Sequence, residues 1–168
     1  MALVKLIEKG YGQLELNFAA FRRYGAIEAK CRMADGIDYL ENGMLLAVDR
    51  KNNIVGYPGD VEGPIALNYT AEHMYDERYQ ALKDFKLDKN TFLPRVGYIG
   101  TPDKFTTNTV VYDNGTEGAP KTPADYKYGK PCTTEGFKGY IELTNEREGA
   151  YVEVLDAATT LPDGQAAV

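Results

Sequence analysis

The chain has no serine, no tryptophan and one histidine, His73, among its 168 residues. Without serine there is no Ser-His-Asp triad. With one imidazole, a zinc or iron site built on paired histidines is excluded. His73 has Glu72, Asp76 and Glu77 beside it, and on a helix His73 and Glu77 would share a face. That is at most half a metal site, and the pattern reads as a solvated helix surface. The two cysteines, Cys31 and Cys132, form no CxxC pair, and neither stands in a nucleophile context. Cys31 falls on the apolar side of an alternating segment and reads as a small buried hydrophobe. A Cys31–Cys132 disulfide needs an oxidising compartment, and no feature indicates secretion, so synthesis in a reducing cytoplasm is expected.

Other absences narrow the chemistry further. There is no Walker A or Rossmann glycine pattern, since Gly10-Tyr11-Gly12-Gln13 lacks the third glycine and a following helix. Residues 113–117 resemble a truncated calcium loop but lack the later ligands, and a tight turn is the expected structure. A glycosidase carboxylate pair stays open on spacing alone, but tryptophan sugar platforms are missing. The expectation is a protein that is not an enzyme, with no cofactor, no metal and no catalytic residue. No apolar run approaches the roughly 20 residues of a membrane helix, and the N-terminus is too short and charged for a signal peptide.

Charge of one sign is scarce over most of the chain. The net charge is −6, with 19 Lys and Arg against 25 Asp and Glu. This disfavours nucleic acid, which binds through cations that displace counterions from phosphate, and anionic membrane surfaces. The exception is residues 1–33, where Lys5, Lys9, Arg22, Arg23, Lys30 and Arg32 outnumber Glu8, Glu15 and Glu28 for a net of +3, leaving −9 elsewhere. A basic third on an acidic body could steer docking onto an acidic partner.

What the chain does have is β-forming sequence. Residues 95–112 combine Val96, Tyr98, Phe105, Val110, Val111 and Tyr112, which suit a half-buried pleated surface, with Thr106, Thr107, Asn108 and Thr109, which hydrogen-bond but do no acid–base work. Residues 14–18 alternate, and residues 25–33 alternate most clearly, with Ile27, Ala29, Cys31 and Met33 on one side. Residues 43–57 read as a hairpin turning at Asn52-Asn53. Further strands are expected at 2–8, 64–70, 140–144 and 151–155. The last two are expected as late strands around 145–149, and residues 165–168 as an edge strand or frayed end after a turn at 162–164. One helix is expected over 71–85, capped by Thr70. Residues 113–139 hold five Gly and three Pro and read as a long surface loop with room for a short strand. Tyr75, Tyr79, Tyr126 and Tyr128 could form a sugar- or protein-binding face or pack over the end of a barrel. The pattern predicts a single mainly β domain over 1–168, an antiparallel β-barrel or sandwich with one short helix, long Gly/Pro/Tyr-rich loops and a candidate arm at 1–12.

Three passages carry a resemblance: Asn42-Gly-Met-Leu-Leu-Ala-Val-Asp49; Ala81-Leu-Lys-Asp-Phe85 followed by Leu93-Pro-Arg-Val-Gly-Tyr-Ile-Gly-Thr-Pro-Asp-Lys-Phe-Thr-Thr-Asn108; and Ala158-Thr-Thr-Leu-Pro-Asp-Gly-Gln165. In this order they resemble small structural proteins of tailed bacteriophages of Gram-positive hosts, taken to be head decoration or cement proteins. The resemblance implies a β-rich fold, no cofactor, and a place on the exterior of the virion capsid with the major capsid protein as partner. Many such proteins are trimers, which makes a homo-oligomer a candidate. It carries over no site residues. The basic third suggests that Arg22 and Arg23 contact the capsid. The alternative is a carbohydrate- or host-binding module of a phage tail or fibre.

Overall fold

The computed structural model describes residues 2–70, 82–161 and 164–168. The chain is mainly β. One sheet has five strands in the spatial order Leu3–Lys5, Val110–Asp113, Ile141–Thr144, Tyr128–Pro131 and Val152–Glu153. A second has six, in the order Ile27–Glu28, Val96–Gly97, Ile65–Asn68, Leu45–Asp49, Ile54–Gly56 and Arg32–Met33. Leu14–Phe18 pairs with Lys104–Thr107 as a separate ribbon. Most pairings are antiparallel; Val110 with Ile141 and Arg32 with Ile54 run parallel.

Both sheets contribute to each of two apolar cores. Leu46, Val48, Val55, Ala66, Val96 and Val111 belong to one. Leu45, Leu67, Val110, Ile141 and Leu143 belong to the other. Neighbours in sequence thus split between cores: Leu45 from Leu46, Ala66 from Leu67, Val110 from Val111. Side chains two apart share a face of a strand, so these central strands are walls with apolar packing on both sides. Burial on both faces explains the unbroken apolar run from Met44 to Val48, all of it buried.

The expected 43–57 hairpin is present, with Ala47 opposite Gly56, Val48 opposite Val55 and Asp49 opposite Ile54. Asn53 takes the left-handed backbone its short amide tolerates, at φ 55°. The Asp49 carboxylate accepts from the Lys51 and Asn52 backbone N–H groups at 3.0 Å each and from the Asn52 amide at 2.6 Å. Those bonds, the Asn52 amide foremost, hold its carboxyl below the usual carboxylate range.

The continuous strand expected over 25–33 is divided. Ile27–Glu28 and Arg32–Met33 lie on opposite edges of the six-stranded sheet. Cys31 and Met33 are buried as the alternation implies, but Ala29 is exposed. Four residue steps from Glu28 to Arg32 reach at most about 14 Å. A flat sheet of six strands would be about 24 Å wide. The sheet therefore curls until its edges approach. No ladder joins them among the described residues, so the curl stops short of a barrel. Arg50, in the hairpin loop, reaches across to Glu28 at 3.3 Å.

The candidate arm at 1–12 is built in: Leu3–Lys5 pairs with Val110–Asp113, and Leu3 and Ile7 pack on the first core. The 113–139 loop contains Tyr128–Pro131, which lies between Ile141–Thr144 and Val152–Glu153, so the two late strands do not pair with each other. Gly129 hid that strand from pattern reading; a side chain there would collide with Ile141 and crowd Val152. The C-terminal segment is an edge strand, with Ala166–Ala167 against Thr159–Thr160 and Val168 bonded to Thr107 in both directions at 2.9 and 3.0 Å. The helix expected over 71–85 falls, up to residue 81, outside the described residues; Leu82–Asp84 is a 3-10 turn. The one described α-helix is Ala20–Arg23.

Cys31 and Cys132 are both free and buried in the first core. Burial is the main cause raising each thiol's pKa. Since only the thiolate reacts, a disulfide-exchange reagent at pH 8 should label neither residue in the folded protein and two thiols after unfolding in urea. Rapid labelling of the native protein would contradict this packing.

Candidate functional site

Arg22 and Arg23 sit side by side in the short helix Ala20–Arg23, and both are exposed. Four residues cannot hold a helix by themselves; tertiary contacts fix it. Asp103 Oδ1 accepts from the Ala20 N–H at 2.5 Å and from the Phe21 N–H at 3.3 Å, satisfying two donors at the helix start. Its other oxygen accepts from the Gly100 N–H at 3.0 Å, tying the helix to the 99–107 segment. Phe21 is 3% exposed, meets the Tyr69 ring edge-on at 5.2 Å, and lies over Gly97, where no side chain would fit. With Phe21 pointing inward, the next residues point outward. Tyr24, just past the helix, is 79% exposed.

Arg95 is exposed close by. Burial pushes the Tyr69 phenol up, while the charges of Arg95 and Arg22 both pull it down. Among the described residues, no carboxylate lies within ion-pair distance of Arg22, Arg23 or Arg95. Arg22, Arg23, Tyr24 and Arg95 thus present cations and an aromatic ring on a fixed scaffold. Arg22 and Arg23 were legible as candidates from local charge; Arg95 was not, because its proximity comes from the pairing of Ile27–Glu28 with Val96–Gly97, and Tyr24, next to Arg23 in sequence, gave no sign of its exposure.

The tyrosines separate by environment. Tyr126 is buried in the second core and donates to the Asp113 carbonyl at 2.7 Å. Tyr128 is half-buried and meets Tyr151 edge-on at 5.7 Å; the Arg147 guanidinium lies over both rings, at 5.5 and 4.8 Å. Tyr126 and Tyr128 therefore do not make an open aromatic face. Tyr75, Tyr79 and His73 lie outside the described residues. In the 113–117 segment the Asp113 carboxylate accepts from the Gly115 N–H at 3.0 Å, and a hairpin of Gly115–Thr116 with Ala119–Pro120 follows. That is turn chemistry.

A buried polar seam joins distant parts of the chain. Thr107 Oγ1 donates to the Gln13 carbonyl at 2.6 Å, Thr109 Oγ1 donates to the Asn42 carbonyl at 2.5 Å, and Asn108 Oδ1 accepts from the Gln13 N–H at 2.8 Å. The Asn68 amide donates to the Glu41 carbonyl at 2.9 Å, and Thr70 Oγ1 donates to Asn68 Oδ1 at 2.7 Å. Glu41 is 3% exposed; its carboxylate accepts from Tyr140 Oη and from the Gly12 N–H, each at 2.6 Å. Lys5 Nζ donates to Tyr140 Oη at 3.1 Å and lies 4.5 Å from that ring's centre. Burial, then the Glu41 charge, pushes the Tyr140 phenol well above its usual range, so it stays a hydrogen-bond donor. Among the described residues no three His, Cys, Asp or Glu side chains converge as metal ligands.

No protein family, no curated protein and no solved structure matches this chain.

Proposed function

We propose that this chain is a virion structural protein that binds the outer surface of a bacteriophage capsid, with the major capsid protein as its partner, and decorates and stabilises the shell. The observation that carries the reading is the pinned helix Ala20–Arg23 with the exposed Tyr24 beside it. Arginine and tyrosine are the residue types enriched at protein interfaces. Here their backbone is pinned by Asp103 and Phe21, so docking orders side chains but little backbone. The body around them is acidic overall, with a net charge of −6. That favours an exterior position over one lining packaged DNA. Weak contacts repeated over a lattice add through multivalency, so a small patch per copy can stiffen a shell. The role needs no turnover, and no catalytic residue is assigned.

A carbohydrate- or host-binding role on a tail or fibre is the second reading. It calls for ring faces open to a sugar, whereas Tyr128 and Tyr151 carry Arg147 over theirs. Binding on a glycan array with no shell present would favour it.

The test is the double reversal Arg22→Glu with Arg23→Glu, followed by co-sedimentation with purified shells that lack the protein. Occupancy at subsaturating concentration should fall about tenfold or more, and binding by the unaltered protein should weaken with salt. Both arginines are exposed, so the thermal midpoint should barely move. Undiminished occupancy would reject the assignment of this surface.

A further inference from the structure

A groove of about 690 Å³ runs between the edge of the five-stranded sheet and the Leu14–Phe18/Lys104–Thr107 ribbon. Its walls are runs of consecutive residues, 99–107 on one side and 151–156 on the other. Side chains alternate between the faces of a strand. Val110, Ile141 and Leu143, on strands inside the five-stranded sheet, form the floor, and the six consecutive residues of the 151–156 wall bring backbone groups to the groove as well as side chains.

The ladder shows which groups those are. Glu153 lies opposite Tyr128 and Val152 opposite Gly129, and the Val154 N–H donates to the Lys127 carbonyl at 2.8 Å. In an antiparallel pair, hydrogen-bonded and non-hydrogen-bonded positions alternate. The Val154 N–H is thus spent on the neighbouring strand, while the Lys127 N–H goes to Asn145 Oδ1 at 3.1 Å, and Glu153, at the alternate position, directs its N–H and C=O away from that strand on the groove side. Among the described residues no strand pairs with this edge. Val152 and Val154 pack on the second core, while Tyr151 and Leu155 are 42% and 68% exposed at the rim.

We propose that this groove accepts an extended segment of a partner protein as an added antiparallel or parallel β-strand, paired to the Glu153 edge. The segment would be apolar at alternate positions and carry Lys or Arg between them. Its cationic character follows from the lining charges: Asp103, Glu153 and Asp156 against Lys104 alone. Its length follows from the volume. One strand fills a cross-section of about 4.8 by 10 Å, so the groove holds about 14 Å of chain, or about four residues. Main-chain bonds would supply affinity and the alternate side chains specificity. The inference stands on the groove alone and does not depend on the partner being a capsid.

The probe is a synthetic capped peptide, Lys-Val-Thr-Val-Lys-Val-Thr, titrated into the isotopically labelled full chain. Amide shifts should be confined to residues 99–107 and 151–156, with slowed hydrogen exchange at the Glu153 amide. The Glu-Val-Thr-Val-Glu-Val-Thr counterpart should bind about tenfold more weakly or worse. Glu153→Pro removes the N–H on the open side of an edge strand, where proline is tolerated, and should abolish binding. Should that variant misfold, N-methylation of the two flanking peptide valines deletes guest donors and leaves the protein unaltered; this too should abolish binding. Absence of binding by the cationic peptide, shifts elsewhere on the surface, or equal binding by the N-methylated peptide would overturn the proposal.

Discussion

Replacing Glu41 with alanine should destabilise the protein by about 3–5 kcal/mol, the range for removing one partner from a buried charged network. Two donors converge on this carboxylate, Tyr140 Oη and the Gly12 N–H, each at 2.6 Å. Alanine leaves both buried without an acceptor, at about 1–3 kcal/mol each, and opens a cavity as well. The bonds also join distant pieces of chain: Gly12 follows the N-terminal edge strand, and Tyr140 precedes Ile141–Thr144 in the same sheet. Glu41→Gln keeps the shape and one acceptor oxygen, and should lose about 1–2 kcal/mol because a charge-assisted bond becomes a neutral one. Urea unfolding of both variants checks this. A loss below about 1 kcal/mol for the alanine variant would show that Glu41 does not hold both donors.

Gly43→Ala should cost about 2–5 kcal/mol, while Gly36→Ala should cost about 1–2. Both glycines have left-handed backbone, at φ 88° and 86°. At Gly36 an added methyl meets nothing within 4 Å, so only backbone strain is charged against the fold. At Gly43 it would run into the hydroxyl oxygens of Thr107 and Thr109, which are already bonded to Gln13 and Asn42. The difference between the two variants therefore reads the tightness of the polar seam alone. Equal losses at the two positions would mean that the threonines can yield and that the seam is slack.

Local pattern made part of this molecule legible. The 43–57 hairpin could be read because its apolar run, its Asn turn and its partner strand lie within a few residues of one another. The β class followed from Val, Thr and Tyr spaced between turn residues. The division of residues 25–33 could not be read, because Ile27 and Met33 alternate correctly whether they join one sheet edge or two; only pairing with Val96–Gly97 and Ile54–Gly56 separates them. Tyr128–Pro131 was masked by its glycine and proline; the glycine is required there because a side chain at 129 would collide with Ile141 and crowd Val152. Arg22 and Arg23 stood out by charge. The pinning of their helix did not, since Asp103, which caps it, lies 83 residues away from Ala20 in sequence. The groove was illegible for the same reason: its walls, 99–107 and 151–156, meet only in three dimensions.

The most direct measurement is a pair of cryo-EM maps of phage heads, one with this protein and one without it. The account predicts added density on the outer surface of the shell, with the Ala20–Tyr24 turn against the major capsid protein. Density on the inner surface or confined to the tail, or a turn facing solvent, would contradict it.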